Sequence, residues 1–392
     1  MKTDIINRAD KVIAKTYSRF PIVITRGKAC TVWDIEGRAY TDFVAGIAVC
    51  NLGHAHPGVS KALSDQANTL FHVSNLYYTV PQVELASWLV DNSFADRVFF
   101  CNSGAEANEA AIKLARKYFH DKGDIQRNRI IAAEKSFHGR TMATLSATGQ
   151  AKIRHGFNPL LGGFDFVPFN DIDALKNKIK PFTCAVIIEP VQGEGGVRCP
   201  DAEYLKDVRR LCDKTGILLI FDEIQTGIGR TGKLFAYEHF GVEPDIMTLA
   251  KALANGLPIG AMLAKENIAE TFGPGSHAST FGGTPVITAA SLEVVRTLVR
   301  ERVIDHCLQI GAYFKERLLW LKDRHDSITD VRGIGLLLGI KLKTDGMPVV
   351  KKCVEKGFLI NCIQGNILRF IPPLIIKKDE IDPLITCLDE IL

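Results

Sequence analysis

The sequence predicts an α/β protein with a large part built on a mainly parallel β-sheet and a smaller α+β part. Apolar runs such as Ile217–Phe221 are too short to span a bilayer and have the length of buried strands. Between these runs lie segments whose apolar residues repeat at helical spacing. From about residue 286 onward, helices and short strands form the last third of the chain, which indicates an α+β unit of its own.

Length and composition are those of a globular protein with room for two domains. The chain has 392 residues, of which 46% are hydrophobic and 23% are charged, and its formal net charge is +4. That small charge, spread without basic blocks, gives no reason to expect nucleic acid as a partner. There are ten cysteines, none in a Cys-x-x-Cys pair, and neither a signal-peptide core nor a membrane-spanning run is found. We therefore expect reduced thiols and a cytoplasmic protein.

The first 55 residues predict short strands rather than a catalytic centre. Strand signals cover Ile22–Thr25 and Cys30–Asp34, and we expect these strands to join the C-terminal unit. His54 and His56 suggest a metal site, but no carboxylate or cysteine joins them at ligand spacing. We expect structural roles for both histidines and no metal site.

The next segment predicts helices and the first strand of the large sheet. A helix is expected from Pro57 to Ala67 and another over Gln82–Val90. The strand Arg97–Cys101 leads to Ser103 and Gly104, where a further helix begins. Amides at a helix N-terminus bind anions, so this turn is a candidate phosphate site, although a plain N-cap is the commoner use of such a serine.

Two further strands are followed by polar loops. After Ile130–Ala133 come Phe137, whose ring could lie on a flat cofactor, and Arg140, whose guanidinium matches a carboxylate. An exposed ring beside a solvated arginine is the alternative. Ala185–Ile188 precedes the glycine-rich, acidic loop Glu189–Gly196. Because ligands of α/β sheets bind outside the carboxyl ends of the strands, we expect these loops to share one rim.

The central chemistry is predicted from an acid and a lysine. The strand Ile217–Phe221 ends on Asp222, and the apolar run Ile246–Ala250 leads to Lys251. A lysine that forms a Schiff base and an acid that partners the ring nitrogen are what pyridoxal phosphate enzymes need. On these two residues alone, a strand-end carboxylate and a surface lysine are the simpler interpretation.

The remaining strands and loops complete the predicted architecture. A strand at Gly260–Ala264 is expected to close the large sheet, and the hydroxyls of the loop Ser279–Gly283 could hold a phosphate. Helical composition extends from Pro285 to Arg324, and strand signals return at Val331–Lys343. A final helix is expected from Asp379.

A nucleotide-binding alternative rests on the glycine-rich stretch Gly227–Lys233. The stretch matches the dinucleotide pattern Gly-x-Gly-x-x-Gly and nearly matches a P-loop. A P-loop needs Ser or Thr after its lysine, where this chain has Leu234, and four residues separate the glycines from the preceding strand. Both features disfavour an NAD- or ATP-dependent enzyme.

Several motifs together resemble the class III pyridoxal phosphate aminotransferases, over nearly the whole chain. The motifs, in order, are 103–108, 137–141, 189–196, 222–232, 251–260 and 279–283. Within that family, Ala45–Pro57 and Asn75–Gln82 are similar to the acetylornithine aminotransferase branch. The resemblance implies a fold-type I transferase. Its large cofactor-binding domain, 56–285, would have a seven-stranded sheet between helices, and its small domain would combine 1–55 with 286–392.

The resemblance also implies roles for individual residues around pyridoxal 5'-phosphate. Lys251 would hold the aldehyde and later move a proton, Asp222 would bind the ring nitrogen, and Gln225 would approach the phenolic oxygen. Phe137 would stack on the ring. The phosphate would be held by Ser103, Gly104, Ala105 and the partner subunit's Thr280, so that a homodimer would be needed for a complete site.

On the substrate side, the resemblance implies two arginines. Arg140 would bind a carboxylate of each substrate, and Arg369 would bind the α-carboxylate of glutamate. Glu194 would pair with Arg369 while the other substrate is bound, and Ser279 completes the implied substrate-binding set. A permanent salt bridge between Glu194 and Arg369 is the alternative.

One departure favours an acylated substrate. Ile47 stands where ornithine δ-aminotransferases have a tyrosine for the free α-amine. We therefore expect transfer of the terminal amino group of N2-acetyl-L-ornithine to 2-oxoglutarate in arginine biosynthesis. Succinyldiaminopimelate, ornithine and 4-aminobutyrate stay open as donors, as do an aminomutase of the glutamate-1-semialdehyde type and a cofactor-free binding protein.

Overall fold

A computed structural model describes residues 1–392 as fifteen strands and fourteen α-helices. The strands are β1 Ile24–Lys28, β2 Thr31–Asp34, β3 Ala39–Asp42, β4 Arg97–Cys101, β5 Arg129–Ala133, β6 Phe164–Val167, β7 Thr183–Ile188, β8 Leu218–Asp222, β9 Ile246–Leu249, β10 Gly260–Ala264, β11 Ile328–Ile334, β12 Leu337–Leu342, β13 Phe358–Leu359, β14 Asn361–Ile363 and β15 Ile367–Phe370. The helices are α1 Lys2–Val12, α2 Ala45–Ala48, α3 Pro57–Ala67, α4 Val80–Asp91, α5 Gly104–Asp121, α6 Met142–Ala147, α7 Ala151–Arg154, α8 Ile172–Lys178, α9 Tyr204–Thr215, α10 Glu266–Ala269, α11 Pro285–Arg300, α12 Val303–Arg324, α13 Met347–Glu355 and α14 Lys378–Ile391. None of the helices has the length and apolarity that crossing a membrane requires.

The predicted seven-stranded, mainly parallel sheet is confirmed. Its strand order is β4-β10-β9-β8-β7-β5-β6, and β9, β8, β7, β5 and β6 pair in parallel. β10 is antiparallel to both of its neighbours, so β4 runs in the same direction as the parallel strands. The carboxyl ends of six strands therefore meet at one edge of the sheet, where an α/β fold places its ligands.

The expectation that Gly260–Ala264 closes the sheet was wrong. This strand, β10, lies between β4 and β9, and the edges are β4 and β6. The chain enters β10 from the ligand-binding edge and runs back, which makes the strand antiparallel. Apolar periodicity carries no information about this placement, because all five residues of β10 are buried.

Side chains of the sheet alternate between two apolar cores, one on each face. Ile131, Val186 and Leu219 belong to the larger core, whereas their neighbours along the strands, Ile130 and Ala185, belong to the smaller one. The period of two is that of a strand whose two faces are both covered by helices. Burial on both faces explains why these strands appear in the sequence as continuous apolar runs.

Two smaller sheets combine N-terminal and C-terminal segments. β1, β2 and β3 form an antiparallel sheet, and β13 pairs with β3 in parallel, with Phe358 opposite Thr41. The other sheet has the order β11-β12-β15-β14 and carries Arg369 on β15. The expected contact between the N-terminal strands and the last third of the chain is thus present in the structure.

Some elements were not expected from the sequence. α1 has no buried residue, and β6 is a four-residue strand with Asp165 at its second position. The helical stretch expected from Pro285 to Arg324 is divided into α11 and α12 at Arg302, whose φ is +52°.

Candidate active site

A cavity of about 450 Å³ opens at the carboxyl edge of the seven-stranded sheet. It is lined by residues that follow five strands of the sheet, β4, β5, β7, β8 and β9, and by the start of α5. The predicted site residues that line it are Ser103, Gly104, Ala105, Phe137, Arg140, Glu194, Asp222, Gln225 and Lys251. The structure therefore brings together nine residues that are spread over about 150 positions of the chain.

Asp222 is an acid in a fixed environment at the end of β8. Its Oδ2 lies 2.8 Å from the amide nitrogen of Asn108 and 2.8 Å from Nδ1 of His138. Its Oδ1 accepts a hydrogen bond of 3.1 Å from the backbone amide of Ile224. Asp222 is only 4% exposed and still lines the cavity, so it is an acid held by several donors and aimed at a ligand space.

The neighbouring acid, Glu223, has a structural environment. Its carboxylate accepts hydrogen bonds from the backbone amides of Ala236 and Tyr237, at 2.7 and 2.8 Å, and from the hydroxyl of Thr226. Burial raises the pKa of Glu223 to about 7, although these three donors act in the opposite direction. The two adjacent acids therefore divide into one that faces the cavity and one that anchors a loop.

Lys251 follows β9 and begins a 3₁₀ turn, Lys251–Ala254, with the unusual φ of +46°. Such a backbone conformation in a non-glycine residue is uncommon and concentrates at functional sites. Burial lowers the pKa of the Lys251 ammonium, while the negative charges of Glu194 and Asp222 act in the opposite direction. A lysine with a lowered pKa is more often present as the neutral amine than a surface lysine, and the neutral amine is the form that acts as nucleophile or base.

The start of α5, Ser103 to Ala105, forms one wall of the cavity. Ser103 is the N-cap, and its Oγ accepts a hydrogen bond from the Glu106 amide at 3.2 Å. The first helical amides, those of Gly104 and Ala105, have no partner within the helix and can bind an anion. At Gly104 a Cβ atom would lie 2.7 Å from the Ile224 side chain, so glycine lets the helix approach the loop after β8.

Arg369 and Glu194 form an ion pair beside the cavity. The distance from Arg369 Nη1 to Glu194 Oε1 is 2.6 Å, and Arg369 is 1% exposed. Gln225 contacts both partners, at 3.3 and 3.4 Å. Burial alone would raise the pKa of Glu194, but the charges of Arg369 and Lys251 and the hydrogen bonds from Arg369 and Gln225 together outweigh it, so the pKa is lowered. Arg369 itself does not line the cavity, whereas its partner Glu194 does.

Arg140 and Phe137 lie at the open side of the cavity. Arg140 is exposed, and its guanidinium carbon is 5.6 Å from the centre of the Phe137 ring. Both residues also line a second, wider cavity that continues outward past Glu194. A carboxylate could therefore reach Arg140 from solvent.

Three predicted residues are not brought into the cavity of the same chain. Ser279 accepts a hydrogen bond of 3.1 Å from Asn102, and with Thr280 it lines a neighbouring surface cavity. Thr280 is exposed, and Ile47 is 44% exposed. The exposure of Thr280 is what a contact with a second subunit would require.

Four buried residues of the site were not assigned a role from the sequence. Glu189 lines the cavity, and its carboxylate accepts a hydrogen bond of 3.1 Å from the backbone amide of Phe137. Burial raises the pKa of Glu189 well above its usual range, and the charge of Asp222 raises it further. The others are Asn108, His138 and Thr248 around Asp222. Among these four residues, only Asn108 left a signal in the sequence, because it is a polar residue on the apolar face of α5.

The glycine-rich stretch after β8 is a packing element. Arg230 is completely buried and donates hydrogen bonds to the carbonyls of Leu336 and Pro372 and to the Asn51 side chain. At Gly335 a Cβ atom would lie 2.4 Å from the Thr231 backbone, which shows how closely the two loops pack. None of the glycines of this stretch lines the cavity described above.

The two histidines near the N-terminus have local partners. His54 Nε2 lies 2.8 Å from Asp42, and His56 is the N-cap of α3, where its ring accepts the Val59 amide. No group of three or more potential ligand side chains is arranged to hold a metal ion.

Comparison with known proteins agrees with the geometry of the cavity. The profile of the family described as Aminotransferase class-III matches residues 12–392. The chain belongs to this family. The acetylornithine aminotransferase of Methanocaldococcus jannaschii is 52% identical over 389 residues, which cover 98% of this chain and 97% of that relative. That of Caldanaerobacter subterraneus is 51% identical and covers 97% of both proteins.

Solved aminotransferase structures have the same fold. The ornithine aminotransferase of Toxoplasma gondii superposes with a TM-score of 0.96 at 34% identity, covering 100% of this chain and 94% of that one. The acetylornithine aminotransferase of Elizabethkingia anophelis gives a TM-score of 0.89 at 34% identity, covering 99% and 98%. The predicted family, aminotransferase chemistry and pyridoxal phosphate cofactor are confirmed.

The cavity of this class III aminotransferase fits pyridoxal phosphate in the chemistry of its walls. The amides that begin α5 suit the phosphate, and the Phe137 ring suits an aromatic face. Asp222 Oδ1 has one protein donor and keeps capacity to accept a ring N–H. Lys251 supplies an amine in the same cavity.

Proposed function

We propose that this class III aminotransferase moves the terminal amino group of N2-acetyl-L-ornithine to 2-oxoglutarate in arginine biosynthesis. The products are N-acetylglutamate 5-semialdehyde and glutamate. The observation that carries the proposal is the buried Arg369–Glu194 ion pair, 2.6 Å long, at the edge of the cavity that contains Lys251 and Asp222. The relatives named acetylornithine aminotransferase, at about 50% identity over almost the whole chain, support the choice of donor.

The cofactor, when bound, supplies an electron sink for the carbon that loses its proton. In the proposed mechanism, Lys251 would hold the cofactor, and its Nζ would then act as the base that takes up and returns the proton of the reacting carbon. Its lowered pKa favours the neutral amine that this step needs. Asp222 would pair with the ring nitrogen, Gln225 would approach the phenolic oxygen, and Phe137 would cover the ring. Ser103, Gly104 and Ala105 would bind the phosphate.

The two substrates make opposite demands on the same pocket. The reacting amine of acetylornithine is terminal and has no carboxylate beside it, whereas the carbon of 2-oxoglutarate that receives the amine bears one. In the structure, Glu194 neutralises the charge of Arg369. This arrangement suits acetylornithine, because that substrate has no carboxylate beside its reacting amine. We propose that Glu194 turns away when 2-oxoglutarate binds, so that Arg369 takes its α-carboxylate. Arg140 takes a carboxylate of either substrate.

Donor choice is proposed to depend on Ile47 and Arg140. An apolar side chain at Ile47 does not compensate a free α-ammonium, which favours a donor whose α-amine is acylated. Ser279 is retained as a substrate-binding residue. Its position outside the cavity of its own chain means that it would act in the site of a second subunit.

One assay tests this function against its alternatives. Purified protein with pyridoxal phosphate is supplied with 2-oxoglutarate and with acetylornithine, succinyldiaminopimelate, ornithine or 4-aminobutyrate in turn. We expect the highest kcat/KM for acetylornithine and glutamate as a product. Turnover that does not need 2-oxoglutarate would instead indicate an aminomutase. A higher kcat/KM for one of the other donors would overturn the assignment.

The proposed assembly is a cytoplasmic homodimer with shared active sites. Exposed apolar side chains support a subunit interface, in particular Leu76, Tyr77 and Tyr78, which are 81%, 68% and 97% exposed, and Phe281 beside Thr280. We propose that the partner subunit's Thr280 binds the cofactor phosphate. The ten free cysteines support a reducing compartment.

We further propose that the chain has two domains. The large one comprises 56–285 and contains the whole seven-stranded sheet. The small one combines 1–55 with 286–392, and the parallel pairing of β3 with β13 supports this union. The ion pair Arg369–Glu194 would then connect the two domains beside the cavity.

A further inference from the structure

Two buried residues behind Asp222, Asn108 and Thr248, form a chain of hydrogen bonds that ends on its carboxylate. Thr248 on β9 is in register with Asp222 on the neighbouring strand β8. The Thr248 hydroxyl lies 2.7 Å from Asn108 Oδ1, and Asn108 Nδ2 lies 2.8 Å from Asp222 Oδ2. Asn108 and Thr248 are both completely buried. Neither of them lines the cavity, so any effect on a ligand must pass through Asp222.

The direction of each bond in this chain follows from the donors and acceptors available. An amide oxygen can only accept, so the Thr248 hydroxyl donates to Asn108. Both hydrogens of Asn108 Nδ2 are then used, one for the His138 carbonyl at 2.8 Å and one for Asp222 Oδ2. Every polar atom of the Asn108 side chain is satisfied. Without the hydroxyl, Asn108 Oδ1 would be a buried acceptor with no donor, which destabilises this orientation of the amide.

His138 completes the environment of Asp222 Oδ2. Its Nδ1 lies 2.8 Å from that oxygen, and its Nε2 is buried without a partner. A neutral ring with its proton on Nδ1 donates to the carboxylate and leaves Nε2 as a bare acceptor. The other neutral tautomer would bury the Nε2 hydrogen without an acceptor and would direct the Nδ1 lone pair at the carboxylate. Both contacts are unfavourable. Asp222 Oδ2 therefore accepts two hydrogen bonds.

These bonds divide the two oxygens of Asp222 between two tasks. Oδ2 is engaged by Asn108 and His138, whereas Oδ1 accepts only the backbone amide of Ile224, at 3.1 Å. Three donors to one carboxylate hold it in one orientation. Oδ1 is the oxygen that retains acceptor capacity for a ligand in the cavity.

We propose that Asn108 and Thr248 are positioning residues for the aminotransferase reaction, because they hold the carboxylate of Asp222 in the orientation that leaves Oδ1 to accept the N–H of the cofactor ring. The inference rests on the proposed function, since it needs that ring beside Asp222. Asn108 interrupts an otherwise apolar face of α5, formed by Ala107, Ala110 and Ala111. Its hydrogen bonds are the reason for a polar residue at that position.

The test compares Thr248→Val with Thr248→Ser. Valine keeps the shape of threonine but cannot donate, so we expect kcat to fall roughly 10-fold with little change in KM. The apoprotein should bind pyridoxal phosphate more weakly, and the visible absorption band of the bound cofactor should shift. Serine restores the hydroxyl and should return all three quantities towards those of the wild type.

A matched control separates positioning from a general loss of stability. Thr288→Val makes the same change at another completely buried threonine, on α11, whose hydroxyl bonds only to the carbonyls of Thr284 and Pro285. We expect a comparable loss of thermal stability from Thr288→Val, with an unchanged absorption band and unchanged cofactor affinity.

A double-mutant cycle tests whether Thr248 acts through Asn108. Asn108→Ala should lower kcat roughly 100-fold, and adding Thr248→Val should lower it no further. Additive losses would contradict the chain of bonds. If Asn108→Ala does not fold, the comparison of Thr248→Val with Thr248→Ser still tests the proposal.

The proposal is overturned if Thr248→Val has the absorption band, cofactor affinity and kcat of the wild type, or if Thr248→Ser is as impaired as Thr248→Val. Cofactor affinity and absorption are measured without any amino donor. A wild-type protein that binds pyridoxal phosphate but does not use acetylornithine would therefore overturn the proposed function and leave this inference to be judged on its own readouts.

Discussion

Arg369 on β15 and Glu194 in the loop after β7 are 175 positions apart in the chain and form an ion pair of 2.6 Å. The pair is asymmetric, because Arg369 is almost fully buried while the side chain of Glu194 is 27% exposed. A buried guanidinium cannot leave its site, whereas a carboxylate at the cavity wall can turn outward. The geometry therefore favours Glu194 as the moving partner of the proposed switch.

Replacing Glu194 with glutamine should impair one half of the reaction more than the other. Glu194→Gln leaves Arg369 without its counter-charge when acetylornithine is bound, and we expect kcat/KM for that half-reaction to fall roughly 10- to 100-fold. The half-reaction with 2-oxoglutarate should be retained, since Arg369 is then free to bind its carboxylate. Stopped-flow absorbance of each half-reaction measures the two rates separately.

The control for that variant is Glu203→Gln, which removes an acid from an exposed ion pair with Lys206. We expect both half-reactions to be unchanged, as surface pairs contribute little. Equal losses of both half-reactions in Glu194→Gln would indicate a permanent salt bridge with a structural role.

Two adjacent acids, Asp222 and Glu223, should respond differently to the same loss of charge. Asp222→Asn should lower kcat roughly 100-fold or more while the fold is kept, because the carboxylate toward the ring nitrogen is lost. Glu223→Gln should retain activity but lose roughly 1–3 kcal/mol of stability, since its amide nitrogen faces backbone donors that need an acceptor. Steady-state kinetics and denaturant unfolding measure the two effects. A larger loss of activity in Glu223→Gln than in Asp222→Asn would contradict the division of roles.

The His54–Asp42 pair predicts a pH-dependent contribution to stability. The hydrogen bond with Asp42 raises the pKa of His54 from 6.5 to about 10. A raised pKa means that the folded state favours the protonated ring, so the stabilisation is complete below pH 6.5 and is lost as the pH rises through about 10.

In His54→Gln a side-chain donor is retained but cannot titrate. We expect the wild type to melt at a higher temperature than this variant at pH 6, with the difference shrinking steadily towards pH 10. Melting curves across that range provide the measurement. A difference that does not change with pH would show that the charge of His54 contributes nothing.

Subunit mixing tests the shared active site. Lys251→Ala and Thr280→Asp each inactivate a homodimer, the second by placing a negative charge against the phosphate. In a mixed dimer one site has Lys251 from one chain and an intact threonine from the other. With random pairing, about a quarter of all sites should be active. Denaturing and refolding the two variants together, followed by the aminotransferase assay, measures the recovery.

The matched control mixes Lys251→Ala with Asp222→Asn. Both residues belong to the same chain's cavity, so no mixed dimer has an intact site and no activity should return. Recovery in the control, or its absence with Thr280→Asp, would contradict the proposed interface.

The fold could be predicted where burial leaves a strong signal. The runs that became β7 and β8 are continuously apolar because both faces of the sheet are covered. β6 has Asp165 among its four residues, and α1 buries nothing, so neither has an apolar pattern to detect. The antiparallel position of β10 is decided by tertiary pairing and leaves no trace in its own residues.

The candidate site could be predicted only in part, for a related reason. Lys251 and Asp222 could be singled out because each follows an apolar strand. On these two residues alone a surface lysine and a strand-end carboxylate were the simpler interpretation, and their catalytic roles came from the resemblance to the aminotransferase family. The bond from Thr248 to Asn108 joins residues 140 positions apart, and that from His138 to Asp222 joins residues 84 apart. No spacing rule connects such positions, and each residue alone has the appearance of a buried polar side chain.

The central claim, that Lys251 holds the cofactor in the cavity it shares with Asp222, is tested most directly by chemical trapping. Treatment of the holoenzyme with borohydride fixes pyridoxal phosphate to the amine that holds it, and peptide mass spectrometry locates the modified residue. We predict a single modified peptide that contains Lys251, and no modification in Lys251→Ala. Modification at a different lysine, or no modification of protein that binds the cofactor, would contradict the account.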